Sequence, residues 1–416
     1  MNHPLNIFIP HCSGCLTDVF PHGDGVVAHG FITHLAERGH RLYVASERSE
    51  LSRSLHANVR LFSIESNSSF GTVNRLSYMA RVRALLSHLR KEVRLDLIHQ
   101  LNPVYTGVTL GLVGSRIPTV LGPYVADWPH DPHGIASSRP ALRAVLRRAK
   151  QSVAFVQQLC ADAILLTTEG ARQRVMVSDV LRPTVHILPH GIDSDFFSPE
   201  VPTSISATQR RPVILFYANV SERKGIFELL NGFDLLSSEF SFAELWIAGD
   251  GEELNAAREL ASCLSACARI RFLGRQSREQ AVLLMRQADI YCLPSHGEPY
   301  GMTVVEAMSC GLPVVVTDAG GVRYLVDNTS GLRVPVNSPA SIAGAIATLL
   351  ADPTLRREMG HRNRQKVLQY FSWNKVIDRL EQIYQETLER AHGSQVALNT
   401  QSAHLAESLS SGGEPR

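Results

Sequence analysis

Two glutamates flanking the start of one predicted helix are the side chains in this sequence best placed to do chemistry. Glu298 lies in a loop containing Pro and Gly, and Glu306 follows eight residues later, within LPSHGEPYGMTVVEAMSCGLPVVV at 293–316. Gly301 and Thr303 mark the predicted helix start, where free backbone N–H groups and the positive end of the helix dipole favour an anion such as a diphosphate. Each carboxylate could accept hydrogen bonds from sugar or ribose hydroxyls. The alternative interpretation is two solvated glutamates beside a turn.

The scaffold that positions these residues is predicted to be α/β. Short β-branched runs alternate with helical periods, which is typical of parallel sheets with crossover helices. Helices are expected at 26–39 and 76–93, a capping box at Ser277 and Gln280, and another helix start at Ser338. The expected strands are 6–10, 41–45, 95–99, 119–121, 163–167 and 185–188 in the first half, and 213–217, 244–248, 270–273, 290–293 and 314–317 in the second.

A stretch rich in Ser, Pro and Thr at 193–211 separates two halves of similar size. We therefore predict two doubly wound, Rossmann-like domains, and their ligand is expected in the cleft between them, at the carboxyl ends of the strands. An amphipathic helix follows Ser372, and the Ser-, Gly- and Ala-rich tail after it is expected to be disordered. The predicted units are residues 1–193, 194–372, 373–391 and 392–416.

Composition narrows the class of protein. The chain has 416 residues, 44% of them hydrophobic and 19% charged, with a net charge of +2, which argues against global disorder and against a nucleic-acid partner. Seven cysteines do not form a disulfide scaffold. A redox role for the Cys12–Cys15 pair stays open. No secretory leader or membrane-spanning run is apparent, so we expect a cytoplasmic protein, with peripheral membrane contact through basic helices at 81–94 and 143–150 as an alternative.

Several segments occur in an order that resembles the retaining, nucleotide-sugar-dependent glycosyltransferases of family four. The segment with Glu298 and Glu306, EPYGMTVVEAMSCG, resembles the signature of that family. LDLIHQ at 95–100, ILPHGIDSDFFSP at 187–199, RKG at 223–225, AGDG at 248–251, FLG at 272–274 and GG at 320–321 follow the same pattern. The resemblance implies the GT-B fold, with two facing Rossmann-like domains, an acceptor side first, a donor side second, and a final helix that returns to the first domain.

The resemblance also implies roles for individual residues. Glu298 would hold hydroxyls of the donor sugar, Glu306 would hold the ribose hydroxyls, and Lys224 would neutralise the diphosphate. Arg275 and Gln276 would lie near the base. Such a site stabilises the departing diphosphate with a cation and a helix N-terminus, so no metal and no cofactor is expected. The remaining donor-side candidates are the neighbours of the helix start and of AGDG, namely Tyr300, Gly301, Met302, Thr303 and Gly249.

The sequence departs from the family at two places. Relatives usually carry an Arg shortly before the residue that corresponds to Lys224, where this chain has Ala218 and Asn219. Arg223 could supply the missing charge, or Asn219 could contact phosphate as a neutral donor. Many relatives also have a His-Gly pair after the strand at 119–121, where this chain has Gly122-Pro123-Tyr124.

For the acceptor side, the sequence offers candidate residues without assigned roles. The glycine-rich turn after the first strand contains Gly23, Asp24 and Gly25, and His11 precedes it. His99, Tyr124 and Asp127 are further candidates for the acceptor site or the cleft, although His99 also suits a buried core position. The sequence leaves open the nucleotide, the sugar, the linkage, the oligomeric state and the acceptor, which could be a lipid, a saccharide or a small natural product.

Three alternatives compete with the transferase interpretation. A nucleotide-sugar 2-epimerase also uses two facing Rossmann-like domains, but EPYGMTVVEAMSCG favours the transferase. The missing Arg leaves room for a sugar-nucleotide-binding protein that does not catalyse transfer. A dehydrogenase is disfavoured, because no strand is followed by GxGxxG and a distal acidic residue.

Overall fold

The computed structural model describes residues 3–19, 23–64, 72–101, 107–127, 140–177, 183–199 and 211–410. Within these ranges the chain forms two α/β halves, each built on one parallel sheet. The alternation of buried apolar runs with amphipathic helices therefore produced the architecture that it predicts. The predicted boundary between residues 193 and 194 falls between the last strand of the first sheet and the first strand of the second.

The first half contains a seven-stranded parallel sheet in the order β5-β3-β1-β6-β7-β8-β9, and β2 pairs separately with β4. The order reverses between β1 and β6, so the topological switch point of the sheet lies there. The elements are β1 Asn6–Ile9, β2 Leu16–Thr17, α1 Gly23–Glu37, β3 Arg41–Ser46, β4 Ser49–Glu50, β5 Val59–Ser63, α2 Thr72–Glu92, β6 Leu97–Gln100, β7 Thr119–Tyr124, α3 Pro140–Leu159, β8 Ala163–Leu166 and β9 Thr184–Ile187.

The second half contains a six-stranded parallel sheet in the order β12-β11-β10-β13-β14-β15, the doubly wound arrangement with its switch point between β10 and β13. Its elements are β10 Val213–Tyr217, α4 Ile226–Leu235, β11 Glu244–Ala248, α5 Leu254–Cys263, β12 Ile270–Gly274, α6 Arg278–Gln287, β13 Ile290–Leu293, α7 Met302–Ser309, β14 Val314–Thr317, β15 Gly331–Val334, α8 Pro339–Ala351, α9 Pro353–Tyr370 and α10 Trp373–Ser410.

Local signals located most elements to within a few residues. Ser277 forms the capping box with Gln280, and Ser338 caps α8 with Pro339 in its first turn, as predicted. The edge strands β5 and β15 were not predicted. Each is partly exposed and carries a charged residue, Arg60 or Arg333, that interrupts the apolar run. A continuous apolar run indicates a central strand, and edge strands show such a run only weakly because they are partly exposed.

The last helix joins the two halves. α10 packs on the first half, where Val376, Leu380 and Tyr384 belong to the same buried core as β1 and α1. Where the chain leaves the second half, the Ile192 N–H donates to the Phe371 carbonyl at 2.8 Å, so the two connections between the halves run side by side. This double crossing ties the two halves together.

The predicted end of this helix at residue 391 is wrong. α10 continues without a break to Ser410, so the described part of the predicted disordered tail is helical. The stretch 392–410 holds a single Gly and no Pro, and nine of its 19 residues are Ala, Leu, Gln or Glu, which are good helix formers. Local helix propensity therefore continues the helix through this stretch. Residues 411–416 lie outside the described residues.

Candidate active site

The loop between β13 and α7 is held by backbone hydrogen bonds from the neighbouring loop that contains the GG pair at 320–321. The N–H groups of Gly321 and Val322 donate to the Glu298 carbonyl at 2.8 and 3.2 Å. A Cβ on Gly321 would stand 1.8 Å from the Pro299 carbonyl oxygen, so this approach is available only to glycine. The GG pair at 320–321 thereby fixes the backbone from which the Glu298 side chain projects.

Glu298 forms a mostly buried ion pair with Lys224. The Lys224 Nζ lies 2.5 Å from the Glu298 Oε2, and the two side chains are 16% and 10% exposed. Lys224 ends a single 3-10 turn after β10, and Gly225 follows with φ of 75°. A Cβ on Gly225 would stand 2.0 Å from the Pro294 carbonyl oxygen, which explains why the RKG turn can lie directly against the end of β13. The structure thus brings two predicted catalytic residues into contact at the β10/β13 switch point.

The amino end of α7 completes this corner. Gly301 caps the helix in the left-handed region, with φ of 92°, and no side chain caps the first turn. The first N–H groups of an α-helix have no intrahelical acceptor, so those of Met302 and Thr303 stay available to an anion. The Thr303 hydroxyl bonds the Tyr291 hydroxyl at 2.7 Å. A phosphate would therefore bind mainly to the backbone N–H groups of this turn and less to the Thr303 side chain.

Glu306 lies one turn further along α7 in the wall of a cavity of about 1000 Å³ between the two halves. It is 8% exposed, and burial raises the pKa of its carboxyl to about 7, with the positive charge of Arg278 acting in the opposite direction. Met302, Arg275 and Gln276 line the same cavity. Gln276 donates to the Leu273 carbonyl at 2.7 Å, which shapes the turn after β12.

Residues of the first half form the opposite wall of the cavity. α1 contributes His29, Gly30 and Thr33, and Trp373 closes the wall from the start of α10. A Cβ on Gly30 would stand 2.1 Å from the Trp373 ring, so the indole is in direct contact with α1 at this glycine. Among the described residues, Lys224 and Glu298 do not line this cavity. The site therefore has two parts, the charged corner at the β10/β13 switch point and the larger cavity beside Glu306.

Asn219 and Gly249 lie beside the charged corner. The Asn219 side chain donates to Glu252 at 3.3 Å, while Gly249, with φ of 150°, approaches the strand end so closely that a Cβ would stand 1.9 Å from the Ala218 carbonyl oxygen. Arg223 lies in the same turn as Lys224, and its carbonyl accepts the His296 N–H at 2.9 Å. The AGDG segment therefore packs against the position where relatives carry the missing Arg.

Two family models match this chain in succession. "Glycosyltransferase Family 4" matches residues 21–196, and "Glycosyl transferases group 1" matches residues 199–366. Together they cover most of both halves, and they meet at the connection between the two sheets. The chain belongs to glycosyltransferase family four.

Curated relatives support the same placement. One relative is a GDP-mannose-dependent monoacylated alpha-(1-6)-phosphatidylinositol monomannoside mannosyltransferase of Corynebacterium glutamicum. It is 30% identical over an aligned region that covers 49% of this chain and 56% of that protein. A D-inositol 3-phosphate glycosyltransferase of Xylanimonas cellulosilytica is 30% identical over an aligned region that covers 55% of this chain and 58% of that protein. N-acetyl-alpha-D-glucosaminyl L-malate synthase of Bacillus anthracis is 23% identical over 88% of this chain and 94% of its own length. The match thus spans little more than half the length of the first two relatives.

Solved structures share the fold. Sucrose-phosphate synthase from Thermosynechococcus elongatus superimposes with a TM-score of 0.70 at 18% identity, covering 94% of this chain and all of that chain. Anabaena HepE in complex with UDP superimposes with a TM-score of 0.69 at 18% identity, covering 92% of this chain and all of that chain. The predicted GT-B fold is confirmed. No helix in the described part of this family-four chain is long and apolar enough to cross a membrane.

The acceptor-side glycines of this family-four protein form the first turn of α1. Gly25 is buried, and a Cβ there would stand 2.3 Å from the Cys15 carbonyl oxygen, so the glycine allows α1 to start against the loop after β1. Gly23 and Asp24 are exposed at the helix start. His11 is buried behind them against Tyr78, and burial together with Arg75 lowers its pKa to about 4. The side chain of His11 is therefore neutral near pH 7.

Three predicted site residues have buried, structural positions instead. His99 is fully buried, and its ring nitrogens bond the Tyr384 hydroxyl at 2.6 Å and the Gly122 carbonyl at 3.0 Å, so it is not a cleft residue. Tyr124 is buried in a small apolar core behind the sheet. Tyr300 is likewise buried, and its hydroxyl donates to the His190 carbonyl and accepts from the His190 N–H. The assignment of Asp127 to the acceptor site or cleft stays a prediction; its exposed side chain pairs with Arg174.

Sequence reasoning missed three residues of the cleft. Trp373 lines the large cavity, Arg278 lies beside Glu306, and His190 is buried between the halves. Arg278 also pairs with Asp193, on the connection between the two halves, at 3.4 Å. Gly30 and Gly191, which both face the Trp373 ring, are the sequence signal that could have indicated the position of the indole.

Proposed function

We propose that this protein transfers a sugar from a nucleoside-diphosphate sugar to an acceptor, with retention of anomeric configuration and without a metal or other cofactor. The observation that carries the proposal is the Lys224–Glu298 ion pair beside the uncapped start of α7. It combines a cation for the leaving group, a carboxylate for hydroxyls and an anion site in one corner. Glu306 borders the adjoining cavity, which has room for a nucleoside.

The leaving group is the step that this corner serves best. When the bond between the anomeric carbon and the phosphate oxygen breaks, its electron pair leaves with the diphosphate. Lys224 and the backbone N–H groups at Met302 and Thr303 would bind the growing negative charge. The acceptor oxygen forms the new bond to the anomeric carbon on the same face, and its proton passes to the departing phosphate oxygen. This step requires no protein nucleophile, and we assign none.

The remaining donor contacts follow from the same geometry. Glu298 would accept hydrogen bonds from hydroxyls of the transferred sugar once the phosphates draw Lys224 toward them. Glu306 would accept those of the ribose, and the turn with Arg275 and Gln276 would contact the base. Anabaena HepE was crystallised with UDP and with UDP-glucose, which supports a nucleotide-sugar donor for a chain of this fold.

The names of the relatives indicate a chemical class for the acceptor. The relatives are named for an acylated phosphatidylinositol mannoside, for D-inositol 3-phosphate and for L-malate, all of which carry hydroxyl groups. A hydroxyl acceptor is therefore the class that we propose. A lipid acceptor would place the protein at a membrane surface within the cytoplasm.

The test begins with a thermal-shift panel of UDP-, GDP-, ADP- and TDP-sugars in the presence of EDTA, with Glu306→Gln as the matched variant. We expect one nucleotide class to raise the melting temperature of the wild type and to do so less in the variant. The stabilising donor is then incubated with L-malate, inositol 3-phosphate and phosphatidylinositol, and the product's anomeric configuration is read by NMR. Donor isomerisation without an acceptor, or binding without turnover on any acceptor, would overturn the transferase proposal.

A further inference from the structure

A buried histidine with no hydrogen-bond partner for its ring borders a narrow slot between the two halves. His190 is 5% exposed, and neither its Nδ1 nor its Nε2 has a partner among the residues that the structure describes. Phe31 and Tyr300 pack on the ring, with centroids 6.4 and 4.7 Å away. Burial lowers the pKa of the imidazole to about 3, so near pH 7 it is neutral, with one N–H donor and one acceptor. A buried polar group left in this state costs free energy unless a ligand or water satisfies it.

The slot lies where a doubly wound sheet binds ligands. Its wall is formed by Cys12 after β1, Leu101 directly after β6 and Pro123 near the end of β7, so it stands at the β1/β6 switch point of the first sheet. Asp24, at the start of α1, lines the slot on another side. His190 faces this switch point from the connection between the two halves. Topology and an unsatisfied imidazole, two independent observations, therefore point to the same place.

The size of the slot selects what it can hold. Its free volume is about 10 Å³, which is close to the space of a single water-sized oxygen. Val27 lines both the slot and the large cavity, and Gly191, the neighbour of His190, lines the cavity as well. The slot is thus a side chamber of the cleft. A hydroxyl group, which donates one hydrogen bond and accepts another, matches both the volume and the two free functions of the neutral ring.

We propose that His190 is a specificity-determining residue that receives one hydroxyl group of a polyol ligand in this slot. The inference rests on the proposed function, because it assigns to the slot a hydroxyl of either the transferred sugar or the acceptor. Asp24 would face the same hydroxyl from α1. The motif around His190, LPHG, thereby supplies a ligand contact and not only a connection between the domains.

Three variants separate the polarity of the ring from its shape. His190→Phe keeps an aromatic ring between Phe31 and Tyr300 but removes both hydrogen-bonding functions. His190→Asn offers an amide near the Nδ1 position, and His190→Gln offers one near the Nε2 position. Rescue by one of them identifies the nitrogen that contacts the ligand. The affinity for UDP or GDP alone reports whether each variant has kept its fold and its nucleotide site.

Two binding experiments, a donor arm and an acceptor arm, are carried out on the wild type and on each variant. The donor arm uses calorimetry to compare the affinity for UDP with that for UDP-glucose, and the affinity for GDP with that for GDP-mannose. The acceptor arm saturates the protein with a 2-fluoro analogue of the stabilising donor, which blocks the sugar position, and then titrates myo-inositol or glucose. We expect His190→Phe to leave the affinity for the nucleotide unchanged and to weaken binding in one arm about 3- to 10-fold, the loss expected for one neutral hydrogen bond. The arm that changes identifies the source of the hydroxyl.

The outcomes distinguish this inference from the proposed function. If the wild type binds the nucleotides and His190→Phe matches it in both arms, the slot holds only a structural water and the inference is wrong. If the wild type binds no nucleotide at all, the proposed function is wrong and the inference falls with it. If His190→Phe loses nucleotide affinity while Asn and Gln keep it together with wild-type binding in both arms, the ring has a structural role and the inference is again overturned.

Discussion

The Nζ of Lys224 lies 2.5 Å from the Oε2 of Glu298, although the two residues are 74 positions apart in the chain. The pair forms because β10 and β13 are neighbours in the second sheet and because Gly225 allows the turn after β10 to touch the end of β13. The contact lies in a mostly buried corner. A ligand with a diphosphate and a hydroxylated sugar offers both of them replacement partners at the same time.

Lys224→Ala should act mainly on the chemical step. Loss of the cation removes stabilisation of the departing diphosphate, so we expect kcat to fall about 100- to 1000-fold, with a smaller change in the KM for the donor. Steady-state kinetics with the stabilising donor measure both constants. A variant with normal kcat would show that Lys224 does not contact the leaving group.

Glu298→Gln keeps the size of the side chain and removes its charge. Loss of a charged hydrogen bond to the sugar predicts a decrease in kcat/KM of about 10- to 100-fold. The double variant with Lys224→Ala should lose less than the product of the two single effects, because the residues act on one ligand in direct contact. Strictly multiplicative effects would contradict a shared role.

Glu306 should make stability depend on pH in a defined direction. Its carboxyl has a pKa of about 7 in the folded protein, against 4.5 for an unperturbed Glu, because burial disfavours the charge. The folded state therefore holds the proton more tightly, and this contribution to stability is present below about pH 4.5 and is lost as the pH rises toward 7. Relative to Glu306→Gln, we expect the wild type to lose about 2–3 kcal/mol of unfolding free energy between pH 4.5 and 8.

Urea unfolding of the two proteins across this pH range measures the difference. Subtracting the Gln variant removes the contribution of the buried histidines, whose pKa values burial lowers. Parallel curves for the two proteins would show that Glu306 is not protonated in the folded state near neutral pH.

Gly225→Ala should disturb the charged corner. The residue has φ of 75°, and a Cβ would stand 2.0 Å from the Pro294 carbonyl oxygen. We expect a loss of about 2–4 kcal/mol in unfolding free energy and a fall in kcat/KM, since Lys224 must move with the turn. Gly344→Ala is the matched control, because Gly344 lies in α8 with open space around its Cβ position, and there Ala should be neutral or stabilising.

Tyr384→Phe tests the structural role of His99. The Tyr384 hydroxyl bonds the His99 Nδ1 at 2.6 Å in the core between α10 and the first sheet. Removing the hydroxyl leaves a buried nitrogen without its partner, so we expect a loss of about 1–3 kcal/mol in unfolding free energy. kcat/KM at a permissive temperature should stay unchanged. A selective loss of activity with normal stability would show that His99 acts in the cleft and not only in the core.

The sequence by itself determined what depends on neighbours along the chain. The central strands, the capping box at Ser277, the start of α10 at Trp373 and the loop–helix segment from Glu298 to Glu306 all follow from periodicity and from hydrogen bonds that span a few residues. The family resemblance of that segment also predicted the two-domain fold, which the structure and the family models confirm.

Only the tertiary structure decided which side chains meet. His99 and Tyr384 are 285 positions apart, and nothing local in LDLIHQ distinguishes a core histidine from a cleft histidine. The burial of Glu306, the unpartnered ring of His190 and the contact of Lys224 with Glu298 arise from strand order and from the packing of two domains on each other. Burial and partner choice are properties of the whole packed chain, because they depend on what excludes water from each group, and a pattern of neighbouring residues does not contain that information.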